Sequence, residues 1–393
     1  MRLFSLTWQL LPGINLWGNC VFVELKDYGF TQAEFSVAQA QRQVPGRVIE
    51  SRRERFKVMC EYGEVAAELK GSFFHSLTER EDFPAGNLSL PVLASQGFPV
   101  VGDFVLVQYN GSGVSLITGV LPRRSVFSRA DFLGHAEGYA KNVREQVVAA
   151  NFDYVFILSS LNNDFNANRL ARYLTASWQS GGFPVVILTK ADLCDDPGIH
   201  AAEARKLARE APVIPVSSKT GFGFEELRPF IARDGAEPAR TIVLLGSSGV
   251  GKSSLLNRLA GEELMEVKAI LEDDSKGRHT TTHRQLFRLS AGALVIDTPG
   301  MRELGLWDSR EGIALAFTEV EELFSQCRFS DCTHKTEPGC AVLAALEDGR
   351  LSPEQWKNYR MQRKETAFVE DHSAYLKQKR EFQKTIARMN RNR

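Results

Sequence analysis

The chain has 393 residues, 43% hydrophobic and 24% charged, enough for two to four modest domains with apolar cores of their own. Lys+Arg and Asp+Glu both number 48, so no global basic field attracts nucleic acid and any contact with it has to be local. No stretch approaches the roughly twenty apolar residues that cross a bilayer, and no membrane partner is expected.

The run from Met1 to Cys20 looks briefly like a signal peptide, but Gln9, Pro12 and Gly13 interrupt it, and an apolar strand or docking segment is the better reading. Residues 1–44 show no clear periodicity and are taken as an N-terminal extension. From Pro45 to Pro122 the pattern predicts short strands at Arg47–Glu50, Phe56–Glu61, Val65–Leu69, Asp103–Val107 and Val114–Ile117, punctuated by Gly and Asn. Five strands of this length suit a small barrel of the OB type over 45–122. The next domain, 123–306, alternates strands and helices. Strands are predicted at Phe152–Leu158, Val185–Leu188, Val213–Val216, Thr241–Leu245 and Ala293–Ile296, with helices at Asn166–Ser180, Ala201–Arg209 and Phe224–Ala232. Such alternation implies a doubly wound parallel sheet. In 307–393 the strands stop, a cysteine/histidine cluster appears, and a charged helical tail follows.

The P-loop is the strongest motif. Gly246-Ser247-Ser248-Gly249-Val250-Gly251-Lys252-Ser253 fits G-x-x-x-x-G-K-S/T and lies between a predicted strand and an apolar helical run, and Ser254 next to it is expected to bind the nucleotide too. Its glycines let backbone N–H groups turn inward on phosphate oxygens. Lys252 adds a point charge, the helix N-terminus favours anions, and the Ser253 hydroxyl suits Mg²⁺. Asp297-Thr298-Pro299-Gly300 closes a later strand, where Asp297 can hold Mg²⁺ through water and Gly300 can offer its N–H to a γ-phosphate. Between them, Lys276-Gly277-Arg278-His279-Thr280-Thr281-Thr282 reads as a switch loop. Thr281 is the favoured Mg²⁺ and γ-phosphate ligand, with Thr280 and Thr282 as near alternatives.

Two further motifs select the base. Thr189-Lys190-Ala191-Asp192 fits the N/T-K-x-D pattern, in which the aspartate accepts from guanine N1–H and its amino group and the lysine stem packs on the ring. Ser217-Ser218-Lys219 fits a loop that meets guanine O6. Adenine cannot satisfy these groups, and buried polar groups left unpaired discriminate strongly. Both motifs precede the P-loop, whereas ordinary GTPases carry them after D-x-x-G. The chain is therefore a circularly permuted GTPase whose old ends are joined through Ile231–Arg240.

Cys327, Cys332, His334 and Cys340 fall within fourteen residues and offer three thiolates and an imidazole, a set for closed, structural Zn²⁺. Free cysteines in such a pattern suit a reducing cytoplasm. The tail, with Arg363, Lys364, Lys377, Lys379 and Arg380, suits phosphate contact and equally suits a solvated helical face.

The order TKAD, SSKTG, GSSGVGKSS, GRHTTT, DTPG, followed by C-x4-C-x-H-x5-C, resembles the small ribosomal subunit biogenesis GTPase family (RsgA/YjeQ). The resemblance covers most of the chain from Pro45 onward. It implies an OB-fold barrel, a permuted P-loop GTPase domain and a small helical zinc domain. It also implies late maturation of the 30S subunit, contact with 16S rRNA, and GTP hydrolysis to GDP stimulated by that subunit; a monomer is expected. Met301 stands where many GTPases place a water-orienting glutamine, so intrinsic hydrolysis should be slow. The family's switch-loop histidine maps to His279, which makes His279, Thr281 and Lys252 the expected catalytic residues. The rival readings are an RNA-binding module with a vestigial nucleotide site and a P-loop kinase or ATPase. Intact Lys252, Ser253, Asp297 and Asp192 oppose the first, and the two base motifs oppose the second.

Overall fold

The computed structural model describes residues 25–52, 55–73, 97–133, 142–162, 165–233, 235, 237–247, 249–264, 284–297, 310–364 and 366. Five strands make the barrel: β1 (Val44–Arg52), β2 (Arg55–Cys60), β3 (Gly63–Leu69), β4 (Phe104–Gln108) and β5 (Ser115–Val120). The first three form an antiparallel meander, β3 runs parallel to β5, and β4 pairs with both β5 and β1, so the barrel closes. Inward alternation puts Val48, Phe56, Val58, Val105, Val107 and Ile117 in its core. Residues 25–43 pack against this barrel. Helix α1 (Gln32–Ala40) begins at a Thr31/Glu34 capping box, and Leu25, Phe30 and Ala38 pack on Phe104, Leu106 and Leu121.

A hairpin follows, β6 (Val126–Leu133) with β7 (Asn142–Ala150). Then comes the second sheet: β8 (Tyr154–Ser160), β9 (Phe183–Thr189), β10 (Val213–Pro215), β11 (Thr241–Leu245), β12 (Arg284–Arg288) and β13 (Leu294–Asp297). Its spatial order is β10-β9-β8-β11-β13-β12, all parallel except β12. The chain enters at central β8, runs out to β10, and returns beside β8 as β11. That return is the permuted connection. Its connector is pinned: Ala232 bridges to Gly292, and the Ala239 N–H donates to the Lys26 carbonyl at 2.8 Å.

Helices α2 (Ala167–Gln179) and α3 (Pro197–Ala208) cover one face of the sheet through Leu170, Tyr173, Leu174, Ala201 and Ala204. Helices α4 (Phe224–Ile231) and α5 (Lys252–Ala260) cover the other through Leu227, Ile231, Leu255, Leu256 and Leu259. This is the doubly wound arrangement expected.

The barrel and this sheet are one hydrogen-bonded structure. A bulge between Val48 and Glu50 bends β1, and beyond it Glu50 and Ser51 pair antiparallel with Gln285 and Arg284 of β12. Arg47 reinforces the joint. Its fully buried guanidinium donates to the carbonyls of Gly102 (3.2 Å), Tyr28 (2.7 Å) and Asn151 (2.8 Å).

The C-terminal lobe contains α6 (Arg310–Ala316), α7 (Thr318–Ser325), α8 (Ala341–Glu347) and α9 (353–364). It docks on α2, where the Gly312 N–H donates to Gln179 Oε1 at 2.7 Å, and Arg209 pairs with Glu319 at 3.1 Å.

Candidate functional site

The nucleotide motifs meet because four parallel strands end at the same edge of the sheet. β11 runs into the P-loop, β9 into Thr189-Lys190-Ala191-Asp192, β10 toward Ser217-Ser218-Lys219, and β13 ends on buried Asp297. Backbone geometry explains the P-loop glycines. A Cβ on Gly246 would lie 2.8 Å from the Leu158 carbonyl oxygen, so only glycine lets the loop leave its strand against β8. Gly251, at φ +100°, is the N-cap of α5 and supplies no side-chain cap. A helix N-terminus with no side-chain cap suits an anionic ligand. Gly249 also has positive φ, and half-buried Ser253 and Ser254 follow in the first turn of α5. The Lys252 ammonium donates to the carbonyls of Gly246 and Ser247, both at 2.7 Å, which holds it over the loop.

The base motifs are tied to one another and to the P-loop. The buried Thr189 hydroxyl donates to the Val250 carbonyl at 2.5 Å, joining the end of β9 to the phosphate loop. Lys190 takes a left-handed conformation (φ 58°) and turns the chain into a short 3-10 helix, Ala191–Leu193. The Ala191 N–H donates to the Val216 carbonyl at 3.1 Å, which joins this loop to the end of β10. Buried Ser217 then donates its hydroxyl to Asp192 Oδ1 at 2.6 Å and accepts from the Thr220 N–H at 3.1 Å. Ser218 is half-buried, while Lys219 and Asp192 are exposed. The structure therefore gathers three of the motifs and Asp297. Ser248, His279, Thr280, Thr281, Thr282, Gly300 and Met301 lie outside the described residues.

Cys327, Cys332, His334 and Cys340 converge in the C-terminal lobe, their ligand atoms all within 4.8 Å of one another. Cys327 follows α7, Cys340 is the N-cap of α8, and His334 sits between them at φ 58°. His334 Nδ1 is 3.6 Å from Cys327 Sγ and 3.5 Å from Cys340 Sγ, and the two sulfurs are 4.0 Å apart. A tetrahedral Zn²⁺ with ordinary Zn–S and Zn–N bonds requires S···N of ~3.5 Å and S···S of ~3.8 Å, so Cys327, His334 and Cys340 are spaced for such an ion, with Cys332 Sγ within 4.8 Å of each. Burial pushes the Cys327 thiol upward, but hydrogen bonds from the Ala341 and Val342 amides outweigh it and the net shift is downward, toward thiolate.

Supporting residues escape a search for ligands alone. Glu337 accepts from the amides of Thr333 (3.0 Å), Lys335 (2.8 Å) and Thr336 (3.0 Å) and from the Thr333 hydroxyl, which folds the ligand loop back on itself. Those donors, the Thr333 hydroxyl first, hold its carboxyl well below the usual carboxylate range. Phe324 stacks on the His334 ring at 4.3 Å and Trp356 meets it edge-on at 5.9 Å, fixing the imidazole plane. The T-x-x-x-E spacing was the one sequence signal for Glu337; the aromatic walls come from other helices and left none.

Comparison with known proteins gives a consistent result. The RsgA GTPase family model matches residues 120–307. The Listeria monocytogenes small ribosomal subunit biogenesis GTPase RsgA 2 is 43% identical over 92% of this chain and 95% of its own length. The Opitutus terrae RsgA is 40% identical over 86% of this chain and 88% of its own. Among solved structures, YjeQ from Thermotoga maritima superposes with a TM-score of 0.57 at 25% identity, covering 83% of this chain and 99% of that one. The circularly permuted GTPase YloQ, at 22% identity and TM-score 0.54, shares the fold over 84% of this chain and 96% of its own. With the permuted sheet, the joined guanine and phosphate loops and the Cys₃His centre already in place, the chain belongs to the RsgA family of small ribosomal subunit biogenesis GTPases and is a GTP hydrolase.

Proposed function

We propose that this GTPase acts in late maturation of the 30S ribosomal subunit, in contact with 16S rRNA, and that docking on the subunit stimulates its hydrolysis of GTP to GDP and phosphate. The names of its relatives support the ribosomal part. The observation that carries the nucleotide part is the pair of hydroxyl bonds, Thr189 to Val250 and Ser217 to Asp192, which make the guanine and phosphate loops one unit.

In this reading the amides of Gly246–Ser254 and the Lys252 ammonium hold the phosphates. Asp192 accepts from guanine N1–H and the amino group, the Lys190 stem covers the base, and the loop Ser217–Lys219 meets O6. Ser253 and Thr281 would ligate Mg²⁺, with Asp297 acting through water, and the ion bound with GTP would supply positive charge to the phosphates. Gly300 presents its N–H to the γ-phosphate. Met301 cannot orient water, so His279 does so on the particle. Cys327, Cys332, His334 and Cys340 would hold one structural Zn²⁺, tying the loop between α7 and α8 to the apolar cluster around Phe317, Val320 and Val342.

The units are an extension over 1–44, an RNA-binding OB barrel over 45–122, the GTPase domain over 123–306, and the zinc domain with basic tail over 307–393. The protein works as a cytoplasmic monomer. Among the described residues no helix is long and apolar enough to cross a membrane. Turnover measured with GTP and with ATP, alone and with purified 30S subunits, tests the proposal. Stimulation of GTP turnover by subunits is expected, and its absence rules the ribosomal role out. Stimulated turnover that survives in H279A removes the histidine from the mechanism.

A further inference from the structure

Beside the metal centre lies a cavity of about 630 Å³ that the nucleotide chemistry does not use. Its apolar wall is aromatic. The rings of Trp356 and Tyr359 lie nearly parallel, 5.6 Å apart at 11°, and Phe324 braces both edge-on at 6.3 Å and 5.6 Å. Its rim is cationic. Lys357, Arg360, Arg363 and Lys364 all project from α9, are exposed, and share the lining with no carboxylate among the described residues. The nearby acid Glu321 is engaged by the Tyr359 hydroxyl at 2.7 Å.

We propose that this cavity binds an unpaired nucleotide of single-stranded RNA, the base stacking on half-buried Trp356, which buried Tyr359 backs, and the flanking phosphates meeting Lys357, Arg360 and Lys364. Two independent features select this occupant. The volume suits a ligand of mononucleotide size. The three cations follow i, i+3 and i+7, so they share one face of α9 with neighbours about 5–6 Å apart, a ladder for successive phosphates along one strand. An acidic peptide would satisfy the cations but offer no planar face to the rings. A duplex would satisfy the cations too, but its bases stack on one another and offer no free face; base–aromatic stacking requires a base released from its helix. The inference rests on the ribosomal reading above and adds to it the strand state of the RNA and the residues that hold it.

The experiment uses the full-length chain with its metal bound. Affinity is measured for a short single-stranded RNA, for the same sequence as a duplex, and for anionic phospholipid vesicles, with wild type, W356A and the triple variant K357S/R360S/K364S. Metal content and melting temperature establish that each variant is folded. The triple variant alters only exposed side chains, so it keeps the test available if W356A disturbs the lobe. Expected are a preference for single strand over duplex, a loss of roughly five- to a hundredfold in W356A, and for the triple variant a weaker dependence of affinity on salt. Equal binding of duplex and single strand, tighter binding of vesicles, or single-strand affinity unchanged in both variants overturns the proposal. Unchanged affinity in folded variants that still dock on 30S subunits sinks the cavity alone. Loss of subunit-stimulated turnover in the wild type sinks the ribosomal reading beneath it.

Discussion

Arg47 carries a full charge where no solvent reaches, and its hydrogen bonds go only to three backbone carbonyls, in the segment before α1, the barrel and the start of the second domain. Burial lowers its pKa to about 10, eased by the field of Asp153, and it remains charged at neutral pH. The planar guanidinium also lies over Phe104, 4.7 Å from the ring centre. Lysine has the charge, but its three donors sit on one nitrogen and cannot reach carbonyls met here by three separate guanidinium nitrogens. R47K should therefore cost about 2–4 kcal/mol, because a charge-assisted bond is worth more than a neutral one and a buried carbonyl is left unpaired; denaturant unfolding measures it. Asp192 makes the second test at this scale. In D192N the guanine amino group and N1–H face an amide donor instead of a carboxylate, so GTP binding should weaken at least about tenfold. Xanthine, with a carbonyl in place of that amino group, should be favoured by the same change. Competition between the two triphosphates measures the switch. Unaltered preference would remove Asp192 from base recognition.

Among the elements, the C-terminal lobe depends most on one ligand set. Its helices α6, α7 and α8 have seven, eight and seven residues, too short to persist without tertiary support. Chelation, or C332S, should unfold this lobe, seen as lost helical circular dichroism and a new low-temperature transition, while the nucleotide loops on the sheet still bind GTP. Restored Zn²⁺ should reverse the chelation. How much of the architecture the sequence disclosed varies from element to element, for physical reasons. Strands β8, β9 and β11 are buried on both faces and read as unbroken apolar runs, so the sheet and its permutation were legible. β12, Arg-Gln-Leu-Phe-Arg, buries only Leu286 and carries no such run. In β7 an extra residue, Val148, opposite Phe127 and Ser128 of β6, breaks the alternation that marks a strand. α1 was betrayed only by Thr31 and Glu34, three residues apart. The motifs themselves were visible as local spacings. The Thr189–Val250 bond that locks two of them together spans 61 residues, which no local pattern can reveal.

At the scale of the molecule, the permutation and the barrel are two sides of one construction. Entering at β8 leaves β12 on the outer flank of the nucleotide sheet, and β1 of the barrel covers that flank at Glu50 and Ser51. Asp27 adds a clasp, pairing with Arg233 of the permuted connector and Arg288 of β12. The barrel is thus also a guard against self-association. An uncovered strand offers a row of unpaired N–H and C=O groups to any passing copy. A chain beginning at residue 122 keeps every nucleotide motif yet bares β12. Sedimentation should show it gaining mass with concentration more steeply than the intact chain. If the shortened chain stays single at high concentration, β1 is dispensable as a cover. If it pairs, the barrel is as necessary to the solubility of the GTPase as to anything it touches.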